Sequence, residues 1–234
     1  MDSEQMITRL QTALDAAAEE PANLKGDPET GLWLSTPVVR AIGRAQYAEI
    51  KTLDKDALFD LCEALLETGD WRLRTIAFAW AFRRRKQYTA SDFARFEQWL
   101  RRYVDGWGSC DDFCTHAFGT LLYQYPDLIP QAQTWTQSEN RWLRRAAAVV
   151  LIYALRRDAH LDAVFDVADL LLTNEDDLVQ KGYGWMLKEA SKHAPRRVFD
   201  YVIAHKDVMP RTALRYAIEK LEPYLRKQAM ARSS

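Results

Sequence analysis

The sequence predicts an all-α fold, an α-solenoid of short helix pairs forming one domain over residues 1–234, and three observations predict it. Nearly every segment carries apolar residues at helical spacing, and none sustains the alternation of a strand. Residue types that start and stop helices recur throughout the chain. The helices that follow every second boundary align with one another at a period of about 36 residues.

The boundaries justify the helices in order. "STPVV" at 35–39 puts cap residues ahead of Pro37 at a first helical position, where a missing N–H is no loss. "TGD" at 68–70, "TASD" at 89–92, "YPDLIP" at 125–130, "SEN" at 138–140 and "HAP" at 193–195 mark the next ends and starts. Helices of roughly 12 to 18 residues fit between them, joined by short loops.

The aligned helices are "WRLRTIAFAW" from Trp71, "WGSCDDFCTH" from Trp107, "WLRRAAAVVL" from Trp142, "LVQKGYGWML" from Leu178 and "MPRTALRYAI" from Met209, at offsets of 36, 35, 36 and 31. Helix pairs at this period are the mark of HEAT-like units, which stack so that one helix of each pair lines a concave surface. The fourth repeat position is Arg74, Arg145 and Lys181 in three copies, which predicts a basic stripe on that face. In the second copy it is Cys110, next to Asp111, an acidic interruption of the stripe. Trp71 and Trp142, at helix starts, read as packing between repeats. Trp185 stands in "KGYGWML", where two helical glycines cost about 1 kcal/mol each relative to alanine. They imply the close approach of a helix or a ligand.

Composition bounds the rest. A hydrophobic content of 48% supports a sizeable core, and no apolar run approaches the roughly 20 residues of a bilayer span. The start "MDSEQMITRL" lacks the features of a signal peptide, so a soluble, cytoplasmic monomer is expected. Cys62, Cys110 and Cys114 fit a reducing compartment. Cys110 and Cys114 are spaced as half a metal site with nothing to complete it, and His116, His160, His193 and His205 are scattered, so no metal or cofactor is expected. Net charge is −1, but it alternates in blocks: residues 1–69 and 158–180 are each −7, whereas 70–105 is +5, 139–157 is +4 and 181–234 is +7. Such blocks can focus a positive field on one surface, as nucleic-acid binding requires.

One stretch, "VDGWGSCDDFCTHAFGTLL" at 104–122, sets Trp107 ahead of adjacent aspartates at the start of an apolar helix. Ser109 and Asp112 have the spacing of a capping box, with both carboxylates in a first turn where the helix dipole favours negative charge. That gives Asp112 a role and leaves Asp111 and Trp107 without one.

The segment "WLRRYVDGWGSCDDFC", with "ENRWLRRAAAV" and "QKGYGWMLKEA" at repeat distance and "GLWLSTPVVRAIGR" near the N-terminus, resembles the AlkC/AlkD superfamily of DNA alkylation repair glycosylases, built from HEAT-like repeats. The resemblance covers about residues 24–220 and includes W-x-x-x-D, W-x-x-R and G-W-x-L-[RK]-E elements in the family's order. It implies hydrolytic excision of positively charged alkylpurines, such as 3-methyladenine and 7-methylguanine, from double-stranded DNA. It further implies that Asp111 is catalytic, that Trp107 and Trp185 flank the lesion, and that Arg145 holds the DNA backbone. Arg74, Arg144, Lys181 and Lys188 join Arg145 as DNA-binding candidates, with Lys188 standing where the family often has arginine. AlkD-like proteins are described as holding the lesion's backbone without a base pocket.

The chemistry agrees with the residues. A base alkylated at N3 or N7 is cationic and a good leaving group, so the enzyme must chiefly stabilise an oxocarbenium-like sugar, which a fixed carboxylate can do. The same carboxylate can orient or deprotonate water, and two indole faces attract a cation. Two other readings fit the same fold: a non-catalytic module that binds distorted or branched DNA, and a protein-interaction solenoid.

Overall fold

Asp70, Asn140 and Asp176 each stand one residue ahead of a helix and accept a hydrogen bond from the backbone N–H two residues on, at 2.8, 2.8 and 3.0 Å. Each cap satisfies an N–H that the helix leaves orphaned, which is worth about 1 kcal/mol. The helices they start are three of those aligned by the 36-residue period. The computed structural model describes residues 2–27, 29 and 31–231, and among these the architecture is all-α apart from one small hairpin. The chain falls into two compact units, Met1–Tyr88 and Thr89–Ser234.

The first unit holds α1 (Ser3–Ala18), α2 (Thr36–Ile50), α3 (Lys55–Glu67) and α4 (Trp71–Arg83). α1 buries Met6, Leu10 and Leu14, one residue per turn, and α3 is capped by Asp54, which accepts from the Ala57 N–H at 2.8 Å. Gly43 of α2 lies against Ile76 of α4, and its carbonyl accepts from the buried Trp80 indole at 2.8 Å. A side chain at Gly43 would hold the two helices apart.

Between α1 and α2 the sequence reading missed two antiparallel strands, β1 (Leu24–Asp27) and β2 (Gly31–Leu34). Four residues are too few for alternation to register against a helical background. The hairpin depends on Gly26 and Gly31 at φ +107° and +120°, and the Trp33 ring lies over Gly26 where a Cβ would stand.

The second unit runs α5 (Asp92–Tyr103), α6 (Trp107–Phe113), a π-helical segment (Cys114–Phe118), α7 (Gly119–Gln124), α8 (Ile129–Gln133), α9 (Arg141–Val149), α10 (Ile152–Leu155), α11 (Leu161–Leu171), α12 (Asp177–Ala190), α13 (Pro195–His205), α14 (Arg211–Ala217) and α15 (Pro223–Met230). Several are shorter than the expected 12–18 residues, because the chain bends within a repeat as well as between repeats. From Trp107 to Gln124 it stays helical but loosens into the π segment, and Gly119, the first residue of α7, sits against Tyr153 and the Val150 carbonyl. Thr115 and Thr120 donate to carbonyls one turn back, at 2.7 Å each, bonds that bend helices.

The core here is aromatic: Phe93, Phe96, Trp99, Phe113, Phe118 and Trp135 stack or meet edge to face with ring centroids 5.1–6.2 Å apart. Truncating any of these rings to alanine is expected to cost about 3–5 kcal/mol. The packing tryptophans are thus Trp80, Trp99 and Trp135. Trp71, expected between repeats and first in α4, is 39% exposed, and Trp142, second in α9, is half-buried.

Candidate functional site

α6 begins differently from its repeat partners. Its N-cap is Gly106, which offers no side chain, and the expected capping box does not form: Ser109 lies inside the helix and donates to the Gly106 carbonyl at 3.0 Å. The aspartates consequently fall in the second turn rather than the first, away from the unpaired N–H groups. Asp112 turns to His116 on the next turn, with Nδ1 and Oδ1 3.3 Å apart. Asp111 turns the other way, toward α9.

There it meets Arg145, whose Nε and Nη2 donate to the two carboxylate oxygens at 2.8 and 2.9 Å. The third arm, Nη1, donates to the Leu178 carbonyl in the first turn of α12. One guanidinium therefore ties α6, α9 and α12 together, a use that suits the rigid fork of arginine. Gly182 makes room for it, since a Cβ there would stand 3.1 Å from Arg145 Cγ. The second glycine, Gly184, admits α14: a Cβ would come within 2.7 Å of Tyr216 Cβ and 2.8 Å of the Ala213 carbonyl. Both glycines of "KGYGWML" thus serve close approach.

The side chains of the arginine and the aspartate are 7% and 19% exposed. Burial pushes the Asp111 carboxyl above its ordinary range; the Arg145 hydrogen bonds oppose this, and the neighbouring Asp112 charge adds to it. Burial alone would lower the Arg145 guanidinium, but Asp111 holds it above its usual value, so it stays charged. A carboxylate has about four lone-pair directions, and the fork takes two. The others remain open to the cleft.

That cleft, about 360 Å³, is lined by Trp107, Asp111, Arg145, Leu178, Lys181, Trp185, Lys188 and Tyr216, all in the second unit. Trp107, at the outer end of α6, is 62% exposed. Lys181 is paired with Asp177 at 2.6 Å, and Lys188 with Glu219 at 3.0 Å, its Nζ lying 5.6 Å from the centre of the Tyr216 ring.

Of the residues singled out from the sequence, Asp111, Trp107, Trp185, Arg145, Lys181 and Lys188 come together here. Two do not. Arg144 points into the turn before α9, donating to the Ser138 and Glu139 carbonyls at 2.7 and 2.9 Å, and Arg74 is a buried residue of the first unit. The basic stripe expected at the fourth repeat position does not project: Arg74 and Arg145 face inward among the buried residues of α4 and α9, and only Lys181 is half-exposed. Sequence reasoning missed Leu178 and Tyr216 as lining residues. Tyr216 was accessible through the repeat, since it stands at the same place in the copy from Met209 as Trp185 does in the copy from Leu178.

Cys110 and Cys114 lie buried behind Asp111; burial and the adjacent Cys110 thiol push the Cys114 thiol well up, which keeps it protonated. Among the described residues, no group of three or more His, Cys, Asp or Glu is placed to hold a metal ion, and no helix is long and apolar enough to cross a membrane.

Residues 13–221 match the sequence family of DNA alkylation repair enzymes. The chain belongs to this family. No curated protein matches it. Among solved structures it is similar to one described as a predicted DNA alkylation repair enzyme from Enterococcus faecalis, with 18% identity, 94% of this chain and 96% of that one covered, and a TM-score of 0.72. At that identity the likeness supports the helical-repeat fold. As a DNA alkylation repair family member, the protein has DNA as its partner.

Proposed function

We propose that the protein is a monofunctional DNA glycosylase that excises cationic N3- and N7-alkylpurines from duplex DNA. The observation that carries this reading is the placement of the Asp111 carboxylate, fixed by Arg145, in one cleft with the indoles of Trp107 and Trp185. As the N-glycosidic bond breaks, its electron pair goes to the purine, which leaves neutral, and positive charge develops on the sugar. Asp111 faces that charge from a partly desolvated site, where electrostatic stabilisation is strongest. Water adds to the sugar carbon, and its proton passes to Asp111 or to solvent. The indole faces attract the cationic nucleotide, at about 0.5–2 kcal/mol each. Arg145, assigned from the resemblance to the DNA backbone, here orients the carboxylate; Lys181 and Lys188 are the cleft's phosphate-binding candidates.

The cleft lining holds no histidine and no carboxyl group besides Asp111, and its lysines are engaged by Asp177 and Glu219, so leaving-group activation is assigned to the lesion's own charge. Release of 3-methyladenine and 7-methylguanine, but not of uracil or hypoxanthine, is expected in single-turnover assays with chromatographic detection of free base. Comparable rates on uracil and 7-methylguanine would contradict this mechanism, and DNA binding without any base release would favour the non-catalytic module.

A further inference from the structure

Glu189 lies one turn beyond Trp185 on α12 and is 5% exposed, yet nothing in the chemistry above uses it. A carboxylate so buried is costly unless its oxygens are paired. One oxygen accepts from the Trp185 indole N–H at 3.1 Å. The other accepts from Lys192 Nζ at 2.7 Å and lies 3.7 Å from Arg156 Nε. Burial pushes this carboxyl up, but the bonds from Lys192 and Trp185 hold it below its ordinary range, so the acceptor stays charged. The indole has a single donor, and its ring lines the cleft with the Arg156 guanidinium 5.9 Å from its centre, so the bond to Glu189 is the directional contact that sets the ring's orientation.

We infer that Glu189 is a positioning residue, whose carboxylate fixes the Trp185 indole in its cleft-facing orientation before DNA arrives. Fixing the ring in the free protein removes an ordering cost from binding, and it places the aromatic face where the lesion's charge will stand. The consequence for excision rests on the glycosylase reading; the orientation of the ring does not.

The test compares Glu189→Leu and Glu189→Gln, each alone and with Trp185→Ala. The first readout is the Trp185 indole N–H resonance, assigned by its loss in Trp185→Ala. Glu189→Leu should shift that signal and speed exchange of its proton with water at least about tenfold, as loss of a charge-assisted hydrogen bond implies. The other indole signals, which report folding, should stay in place. The second readout is single-turnover release of 7-methylguanine, which Glu189→Leu should slow by about tenfold, within the range a misplaced site group costs. Glu189→Gln, which keeps an acceptor oxygen, should recover most of the loss, and Glu189→Leu should add no slowing to Trp185→Ala. An indole signal unchanged in Glu189→Leu, or equal slowing with and without Trp185, overturns the inference. If the wild-type protein releases no base, the glycosylase reading fails, and the indole signal alone decides the role of Glu189.

Discussion

Arg145 grips Asp111 with two parallel hydrogen bonds of 2.8 and 2.9 Å across 34 residues of sequence, and its remaining arm reaches the Leu178 carbonyl. The carboxylate at the centre of the cleft is therefore held by a partner that is itself held, so its orientation is set before substrate binds.

Of the adjacent aspartates, only Asp111 faces the cleft; Asp112 is turned to His116. Asp111→Asn should lower single-turnover excision by at least about a hundredfold, the scale of losing a principal electrostatic group, with DNA affinity close to wild type. Asp112→Asn should stay within a fewfold of wild type. The reverse pattern would reassign the catalytic carboxylate.

The proposed mechanism needs Asp111 ionised, and burial raises its carboxyl above the ordinary range while Arg145 opposes the rise. Activity should accordingly fall with decreasing pH along a limb centred above the usual aspartate value. Removing the guanidinium removes the opposing effect, so in Arg145→Ala the limb should move to still higher pH. The same variant leaves a buried carboxylate unpaired and should lose about 3 kcal/mol of stability in urea denaturation. A limb that stays in place in a folded Arg145→Ala protein would mean that another group titrates.

The two glycines of α12 face different neighbours. Gly184→Ala meets a backbone carbonyl and a Cβ, neither of which can yield without moving α14, and should destabilise by about 1–3 kcal/mol despite the better helix propensity of alanine. Gly182→Ala meets Cγ of Arg145 at 3.1 Å, a milder conflict than that at Gly184, so stability should change less while excision drops as the guanidinium shifts. Denaturation and single-turnover rates on both variants check this contrast.

Lys181 and Lys188 are engaged by Asp177 and Glu219 at the cleft, and such pairs exchange readily for a phosphate when one lies partly in solvent. Alanine at either position should weaken duplex binding and reduce the slope of log affinity against log salt by about one. Arg144→Ala should leave the slope unchanged, because that guanidinium already serves the Ser138 and Glu139 carbonyls. Titrations at several salt concentrations separate the two classes.

Much of this was legible in the chain itself. Caps such as Asp70, Asn140 and Asp176 bond two residues onward, and helical periodicity is a property of neighbours in sequence, so helix starts and the repeat could be read locally. Trp107, Asp111 and Trp185 stood out because their spacing matched a family whose membership the comparison then showed. Other features depended on which helices come to lie side by side. Sequence spacing set Arg145 in a stripe, but a guanidinium on a buried helix face must find a partner, and the nearest carboxylate was Asp111 on α6. Tyr216 reaches the cleft only because Gly184 lets α14 come close, and Trp71, placed by the repeat among the packing tryptophans, stays 39% exposed. Local hydrogen bonds and periodicity are written residue by residue, whereas the partner of a buried charge and the cover over an aromatic ring are decided only when distant segments pack together.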